Sequence, residues 1–182
     1  MTLTFQPMCP ALTACGGDVV GSWEYNAGCV STDALFTQAK SLCPTITFSS
    51  MTGDSRGSVI FTNAMVARAI NTNISGVANI PASCTAVITC AQIQSGLATA
   101  AKTASCVNGI AGGCVCDFTF QAITSGVVPY TKAANQFTTD PGTGQTKTYD
   151  YCRTGTPAAP VFTYKELGQQ PRDPGIFTMQ KK

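Results

Sequence analysis

One strand is clearly marked near the start of the chain, by the run Cys15-Gly16-Gly17-Asp18-Val19-Val20-Gly21-Ser22-Trp23-Glu24-Tyr25. This run contains the only tryptophan of the 182 residues. Val19, Trp23 and Tyr25 lie at even spacing, the period at which side chains of a β-strand share one face. Gly21 leaves the backbone bare beside the large indole ring, so the ring can lie against it. The sequence therefore predicts a strand over about 18–27.

The composition predicts one disulfide-rich domain with an uncharged surface. Charged residues make up only 11% of the chain, hydrophobic residues 44%, and the formal net charge is +2. The few lysines and arginines are scattered, which excludes a basic nucleic-acid-binding patch. No apolar run is long enough for a transmembrane helix. A surface with so little charge repels copies of itself weakly, so we expect the partners of this protein to be further copies.

The high cysteine content indicates a disulfide framework formed in an oxidising compartment, which places the protein outside the cell or on its surface. A metal site is the alternative, but the chain has no histidine, and its cysteines lack the Cys-x-x-Cys spacing of zinc sites. We therefore predict no metal and ten bridged cysteines. They are Cys9, Cys15, Cys29, Cys43, Cys84, Cys90, Cys106, Cys114, Cys116 and Cys152.

The spacing of the cysteines favours two pairs but leaves the full connectivity open. Cys29–Cys43 would close a loop around a short helix, and Cys90–Cys106 would fasten both ends of a longer one. A separate question concerns Cys15, because residues 12–16 match a bacterial lipobox and would make Cys15 a lipidated N-terminus. The prolines and the cysteine before it do not suit a signal peptide. We therefore expect a bridged Cys15, with a lipid-anchored form as the alternative.

The rest of the chain predicts a mainly β fold with two short helices inserted. Helical spacing of apolar residues marks residues 32–42 and 88–103. Alternating patterns mark further strands, at about 45–51, 59–61, 65–75, 114–124, 127–132, 136–140, 146–153 and 161–164. About eight short strands joined by hairpins predict an antiparallel up-and-down meander or barrel. Residues 1–14 and 166–182 show no period of their own, so we expect an extended arm and an extended tail around a β domain at 15–165.

Gly21-Ser22-Trp23 resembles the Gly-x-Trp signature of lipocalins and other calycins, which implies a calycin-like barrel. In that fold an arginine from the last barrel strand covers the tryptophan ring. The resemblance implies that Arg153 takes this place and forms a barrel-closing pair with Trp23. The run from Cys15 to Arg153 also resembles cysteine-rich secreted proteins and lipoproteins of myxobacterial type. Five aromatic rings would then either fill the core or line a ligand cavity: Phe48, Phe61, Phe118, Phe120 and Phe137.

No catalytic constellation stands out, and we predict a non-enzymatic protein without catalytic residues or a cofactor. Without histidine, the commonest general base and the usual nucleophile pairs are missing. Two hypotheses remain. The first is a secreted structural or adhesive subunit that self-associates at the cell surface or in an extracellular assembly, with at least one arm crossing to a neighbouring subunit. The second is a lipocalin-like carrier that binds an apolar small molecule inside the barrel.

Overall fold

The fold is mainly β, as predicted, in the computed structural model, which describes residues 1–86, 88–109, 111–168, 171 and 173–182. Strands make up 58% of these described residues. They are β1 (Leu3–Gln6), β2 (Gly21–Ser31), β3 (Thr47–Phe61), β4 (Met65–Ile80), β5 (Thr103–Asn108), β6 (Cys114–Ala133), β7 (Gln136–Thr139), β8 (Lys147–Thr156), β9 (Ala159–Glu166) and β10 (Gly175–Lys181). The helices are α1 (Thr32–Leu35), α2 (Thr37–Leu42) and α3 (Cys90–Ala98), with a short 3-10 helix at Ala82–Cys84.

The chain folds as two compact units. The first comprises Met1–Leu35, Ser55–Asn71 and Ile123–Lys182, and the second comprises Phe36–Asp54 and Thr72–Ala122. By these bounds, β3, β4 and β6 each contribute residues to both units. Within the described residues, no helix is long and apolar enough to cross a membrane.

The strand order closes on itself without forming a regular barrel. The strands pair in the order β1-β2-β10-β9-β8-β7-β6-β4-β3, and β2 pairs with β3 as well. That closing pairing joins Gly21–Glu24 to Ser58–Phe61, so the strand that carries Trp23 has neighbours on both edges. β1 pairs parallel with β2, and an isolated parallel bridge joins Gly16 to Cys152. Neighbouring strands in this order follow chain order from β2 to β4 and from β6 to β10, as the predicted meander requires. Two strands depart from it: β1 is added beside β2, and β5 pairs with β6.

The C-terminal segment is a strand of the sheet, which corrects the prediction of an extended tail at 166–182. β10 lies between β2 and β9 and pairs antiparallel with both of them. Phe177 and Met179 are buried. In the arm at 1–14, Leu3 of β1 is buried as well. Their own chain therefore buries these three side chains, whereas Met8 of the arm is 80% exposed. The segment is too short for a visible period, and its pairing with the first strands joins residues far apart in sequence.

The second unit contains the longer helix, which is shorter than its pattern predicted. α3 begins at a capping box, in which the side chains and backbone of Thr89 and Gln92 satisfy each other. It ends at Ala98 rather than near 103 because Thr103–Asn108 forms β5 instead, paired antiparallel with Cys114–Thr119 of β6. Ala101 and Ala104 continue the helical spacing in the sequence, but pairing with β6 makes residues 103–108 a strand.

All ten cysteines form disulfides, as predicted, but both favoured pairs are wrong. The bridges are Cys9–Cys29, Cys15–Cys152, Cys43–Cys84, Cys90–Cys114 and Cys106–Cys116. The β5–β6 register explains why Cys106 is not bridged to Cys90. It places Cys106 directly opposite Cys116, with a Cα–Cα distance of 4.0 Å. Cys29 is bridged to the N-terminal arm rather than across the helix that follows it. Loop length alone therefore misled both assignments.

Candidate functional site

Trp23 is buried as predicted, but the expected stack with Arg153 is not among the contacts of the described residues. The indole is fully buried, donates its Nε1–H to the Val19 carbonyl at 2.7 Å, and lies with its centroid 5.4 Å from that of Phe162. Arg153 is paired with Phe162 across β8 and β9. The cation–π contacts found within the described chain are those of Arg68. The pair Trp23 and Arg153 therefore adds no support to a calycin assignment.

A buried ion pair lies instead among the aromatic rings of the first unit. The Arg68 guanidinium is 3.0 Å from Asp173 Oδ2, and its side chain is only 7% exposed. It stacks over Tyr149 at 5.0 Å and Tyr164 at 5.9 Å. Burial acts to lower the pKa of Arg68, but the negative charge that Tyr164 and Asp173 can carry outweighs it and raises the pKa. Arg68 is thus a fixed cation that orients a carboxylate and two rings.

Two tyrosine hydroxyls and a second ion pair extend this cluster. The hydroxyls of Tyr25 and Tyr164 lie 2.7 Å apart, and Tyr164 donates to Asp173 Oδ2 at 3.3 Å. Burial raises the pKa of both tyrosines. Glu166 is buried, accepts from the Asp173 backbone N–H at 3.1 Å, and lies 3.1 Å from Lys147 Nζ. We call Tyr25, Arg68, Lys147, Tyr149, Tyr164, Glu166 and Asp173 the Arg68 cluster.

The chemistry available to the Arg68 cluster is limited, because its charges neutralise one another. Arg68 and Lys147 face Asp173 and Glu166 in two ion pairs. Both cations also line a cavity of about 100 Å³. No buried polar side-chain atom of the described residues lacks a hydrogen-bond partner. The cluster therefore ties the segment just before β10, at Asp173, to β4 and β9, with its charges paired internally.

Sequence reasoning missed this cluster, although one signal was available. Arg68 is the only charged residue of the sixteen in β4. It lies two residues after Val66, so the period of a strand places it on the same buried face. A lone arginine on an apolar face needs a buried anion. Nothing in the sequence indicated that the anion would come from Asp173, in the segment taken for a tail.

The five phenylalanines proposed as core or cavity lining belong to two separate packed clusters. In the first unit, Phe61 and Phe137 lie with their centroids 5.4 Å apart, and Phe137 stacks on Tyr149 at 4.6 Å. In the second unit, Phe36 stacks on Phe48 at 3.7 Å, and Phe118 and Phe120 contact the same ring at 5.7 and 6.5 Å. Phe118 also borders an open cleft of about 410 Å³. These rings therefore pack in the cores of the two units and do not line one shared cavity.

A groove without charged residues lies where the N-terminal arm crosses the outer face of the sheet. It has a volume of about 350 Å³ and is lined by the arm, β2, β9 and β10. Leu12 and Ile176 are apolar contributors, and Thr2 and Thr178 carry hydroxyls. Such a groove accommodates small uncharged groups, but it carries no polar group positioned for catalysis.

Nine uncharged residues lie together on the solvent-facing side of three strands in the first unit, and we call them the β3–β4–β6 face. Charged residues border it: Arg56 on β3 and Lys132 on β6 are exposed, and Glu24 of β2 lies directly opposite Ser58. Neighbouring residues of these strands are buried, among them Val59, Val66, Arg68 and Tyr130, so the residues between them point outward. The face is made of Ser58, Ile60, Met65, Ala67, Ala69, Ile123, Ser125, Val127 and Pro129. Among these, Ile123 is 71% exposed, Val127 62%, Ile60 44% and Met65 36%. The face thus brings together four exposed large apolar side chains, while Met8, Leu42, Ile88 and Val107 are exposed elsewhere in the described chain.

The described residues contain no cluster of side chains suited to bind a metal ion. No group of three or more histidine, cysteine, aspartate or glutamate side chains within them could hold a metal ion. The sulfur of Cys15 is bonded to Cys152 and in this structure is not free for a lipid thioether. Comparison with protein-family models, with curated protein sequences and with solved structures finds no match.

Proposed function

We propose that this protein is a secreted, non-enzymatic structural or adhesive subunit that associates with copies of itself at the cell surface or in an extracellular assembly. The observation that carries the proposal is the β3–β4–β6 face. It leaves Ile123 and Val127 more than half exposed, and its nine residues are uncharged, with Glu24 and Arg56 at its border beside Ser58. A monomer gains nothing from exposing such side chains, whereas association removes their apolar surface from water.

Three further observations support this proposal. The five disulfides suit an oxidising, extracellular compartment. The charges of the Arg68 cluster are paired internally, so the most buried ionisable groups serve the fold rather than a reaction. Only 11% of the residues are charged, and so few charges repel identical copies weakly. Because both chain ends dock on their own chain, self-association would use an outer surface rather than an exchanged arm.

The test of this proposal is the mass of the oxidised protein in solution. Sedimentation velocity and light scattering over about 1 to 500 μM should show a mass that rises with concentration, as expected for the weak contacts of small interfaces. Added salt should leave the association unchanged or strengthen it, because apolar burial rather than charge drives it. A single compact monomer throughout that range would contradict the proposal.

A carrier of small apolar molecules is the second candidate, favoured only by the uncharged groove beside the N-terminal arm. Its ligand would lie on the outside of the sheet, because the rings of the first unit pack against one another. Native mass spectrometry of protein purified from its source would detect a bound molecule. A monomer that carries such a mass would favour the carrier over the structural subunit.

A further inference from the structure

We infer that the small cavity beside Arg68 and Lys147 binds a short-chain carboxylate of the size of acetate or propionate. The inference goes beyond the proposed function, because it assigns a ligand site in the first unit and does not depend on self-association. The cavity has a volume of about 100 Å³, and both cations of the Arg68 cluster line it. Their carboxylate partners, Asp173 and Glu166, are not among its described lining residues, and none of those residues is acidic.

Packed rings cover one face of Arg68, and the cavity opens to solvent. The Arg68 guanidinium lies over the Tyr149 ring at 5.0 Å, and Tyr149 in turn stacks on Phe137. The buried side chain of Arg68 is therefore held in one orientation. Exposed residues of the first unit also line the cavity, so that a dissolved anion can enter from their side: Ser125, Pro141 and Gln145.

The Arg68 guanidinium has more hydrogen-bond donors than its own chain uses. It carries five N–H groups, and its hydrogen bond to the described residues is the one from Nη1 to Asp173 Oδ2, at 3.0 Å. The side chain is only 7% exposed, yet no fully buried polar side-chain atom of the described chain lacks a partner. The remaining guanidinium nitrogens therefore reach open space, which the cavity lined by Arg68 provides. An oxyanion in the cavity would accept hydrogen bonds from them.

The other polar groups that line the cavity can also donate. Lys147 has three N–H donors, and its Nζ pairs with Glu166 Oε1 at 3.1 Å. The hydroxyls of Thr124 and Ser125 and the amide of Gln145 lie on the same cavity. The Arg68 cluster is neutral as a whole, but its two cations border the cavity and its two carboxylates do not. The nearer charges dominate the local potential, so the cavity favours an anion.

The size and the apolar part of the lining favour a short carboxylate over inorganic phosphate. A cavity of about 100 Å³ has room for several water molecules, and thus for an anion of about four or five heavy atoms. Val66, Val128 and Pro141 line it beside the donors, and they would contact a methyl or ethyl group. A guanidinium matches the planar carboxylate in geometry. A doubly charged phosphate would bring a second negative charge that the neutral cluster does not compensate.

The test is ligand-observed saturation-transfer NMR with acetate and with propionate, at constant ionic strength maintained with chloride. One variant combines Lys147→Met with Glu166→Gln, which removes the ion pair without leaving one buried charge alone. A second variant, Val128→Phe, fills the cavity and keeps both ion pairs. The matched control is Lys132→Met, which removes an exposed lysine of β6 that does not line the cavity. Circular dichroism and a free-thiol assay show whether each variant is folded and oxidised.

The wild type should bind both carboxylates with a dissociation constant of about 1–10 mM, because a ligand of so few atoms makes few contacts. The Lys132→Met control should bind as the wild type does. Both cavity variants should bind at least about tenfold more weakly. Propionate should displace acetate, whereas the same concentration of chloride should not.

Each other outcome overturns the inference. Absence of binding to the wild type, or an equal loss in the Lys132→Met control, would mean that the cavity is not a carboxylate site. Displacement by chloride, or tighter binding of inorganic phosphate than of propionate, would contradict the ligand class. Unchanged binding by Val128→Phe would place the carboxylate elsewhere, and this variant decides the question even if the double variant does not fold. None of these results bears on the mass of the protein in solution, so the proposed function is tested separately.

Discussion

Removing the bridge between Cys15 and Cys152 should destabilise the protein more than removing any bridge that closes a short loop. The perturbation is the double substitution Cys15→Ala and Cys152→Ala. The two cysteines are 137 residues apart in sequence. In the chain-entropy model, closing a loop of that length in the unfolded chain contributes about 5 kcal/mol. The other bridges shorten the covalent path between these cysteines roughly by half, which reduces the contribution to about 4.4 kcal/mol.

The matched control is Cys9→Ala with Cys29→Ala. This bridge spans 20 residues, for which the same model gives about 3.3 kcal/mol. Neither bridge involves a buried cysteine, so alanine leaves no core cavity at any of the four positions. The comparison therefore isolates loop length, and the first variant should lose about 1 kcal/mol more of its free energy of unfolding than the second.

The assay is guanidinium-induced unfolding followed by the fluorescence of Trp23, the only tryptophan and fully buried in the folded protein. Because the unfolded chains differ in cross-linking, the slope of the unfolding free energy against denaturant has to be fitted separately for each variant. A Cys9 and Cys29 variant that is less stable than the Cys15 and Cys152 variant would refute the reasoning. The native geometry of the bridges would then matter more than the entropy of the unfolded chain.

Two further predictions concern the Arg68 cluster. Arg68→Met leaves the Asp173 carboxylate buried without its guanidinium, so we expect a loss of about 3–5 kcal/mol in the free energy of unfolding. Adding Asp173→Asn should recover part of that loss in denaturant unfolding, and a double variant less stable than Arg68→Met would contradict this account. Burial raises the pKa of Tyr25 and Tyr164 in the folded protein. Stability should therefore be constant with respect to these groups below about pH 10 and fall above it, by up to about 1.4 kcal/mol per pH unit for each tyrosine. Tyr25→Phe should flatten that fall, and an unchanged slope between pH 9 and 11 would exclude Tyr25 as its source.

Local patterns in the sequence predicted the oxidation state of the cysteines and the sites of most strands correctly, but they missed β1, β5 and β10. The alternation around Trp23 predicted β2 and the burial of the indole, because side-chain period depends only on neighbouring residues. The number and context of the cysteines predicted that all would be bridged. Helical spacing of apolar residues also predicted α3, although not its end, since that end depends on the pairing of β5 with β6.

The candidate surfaces required the tertiary structure. Nothing local to Arg68 names Asp173 as its partner, and nothing local to Phe177 indicates that β10 lies between β2 and β9. The β3–β4–β6 face likewise combines residues 58–69 with residues 123–129, and it exists only because the strand order makes those segments neighbours. A sequence encodes period and propensity residue by residue. Contacts between distant segments decide which cysteines form a bridge, which strands are neighbours and which outward residues share a face. The free energy of those contacts depends on the whole packed structure.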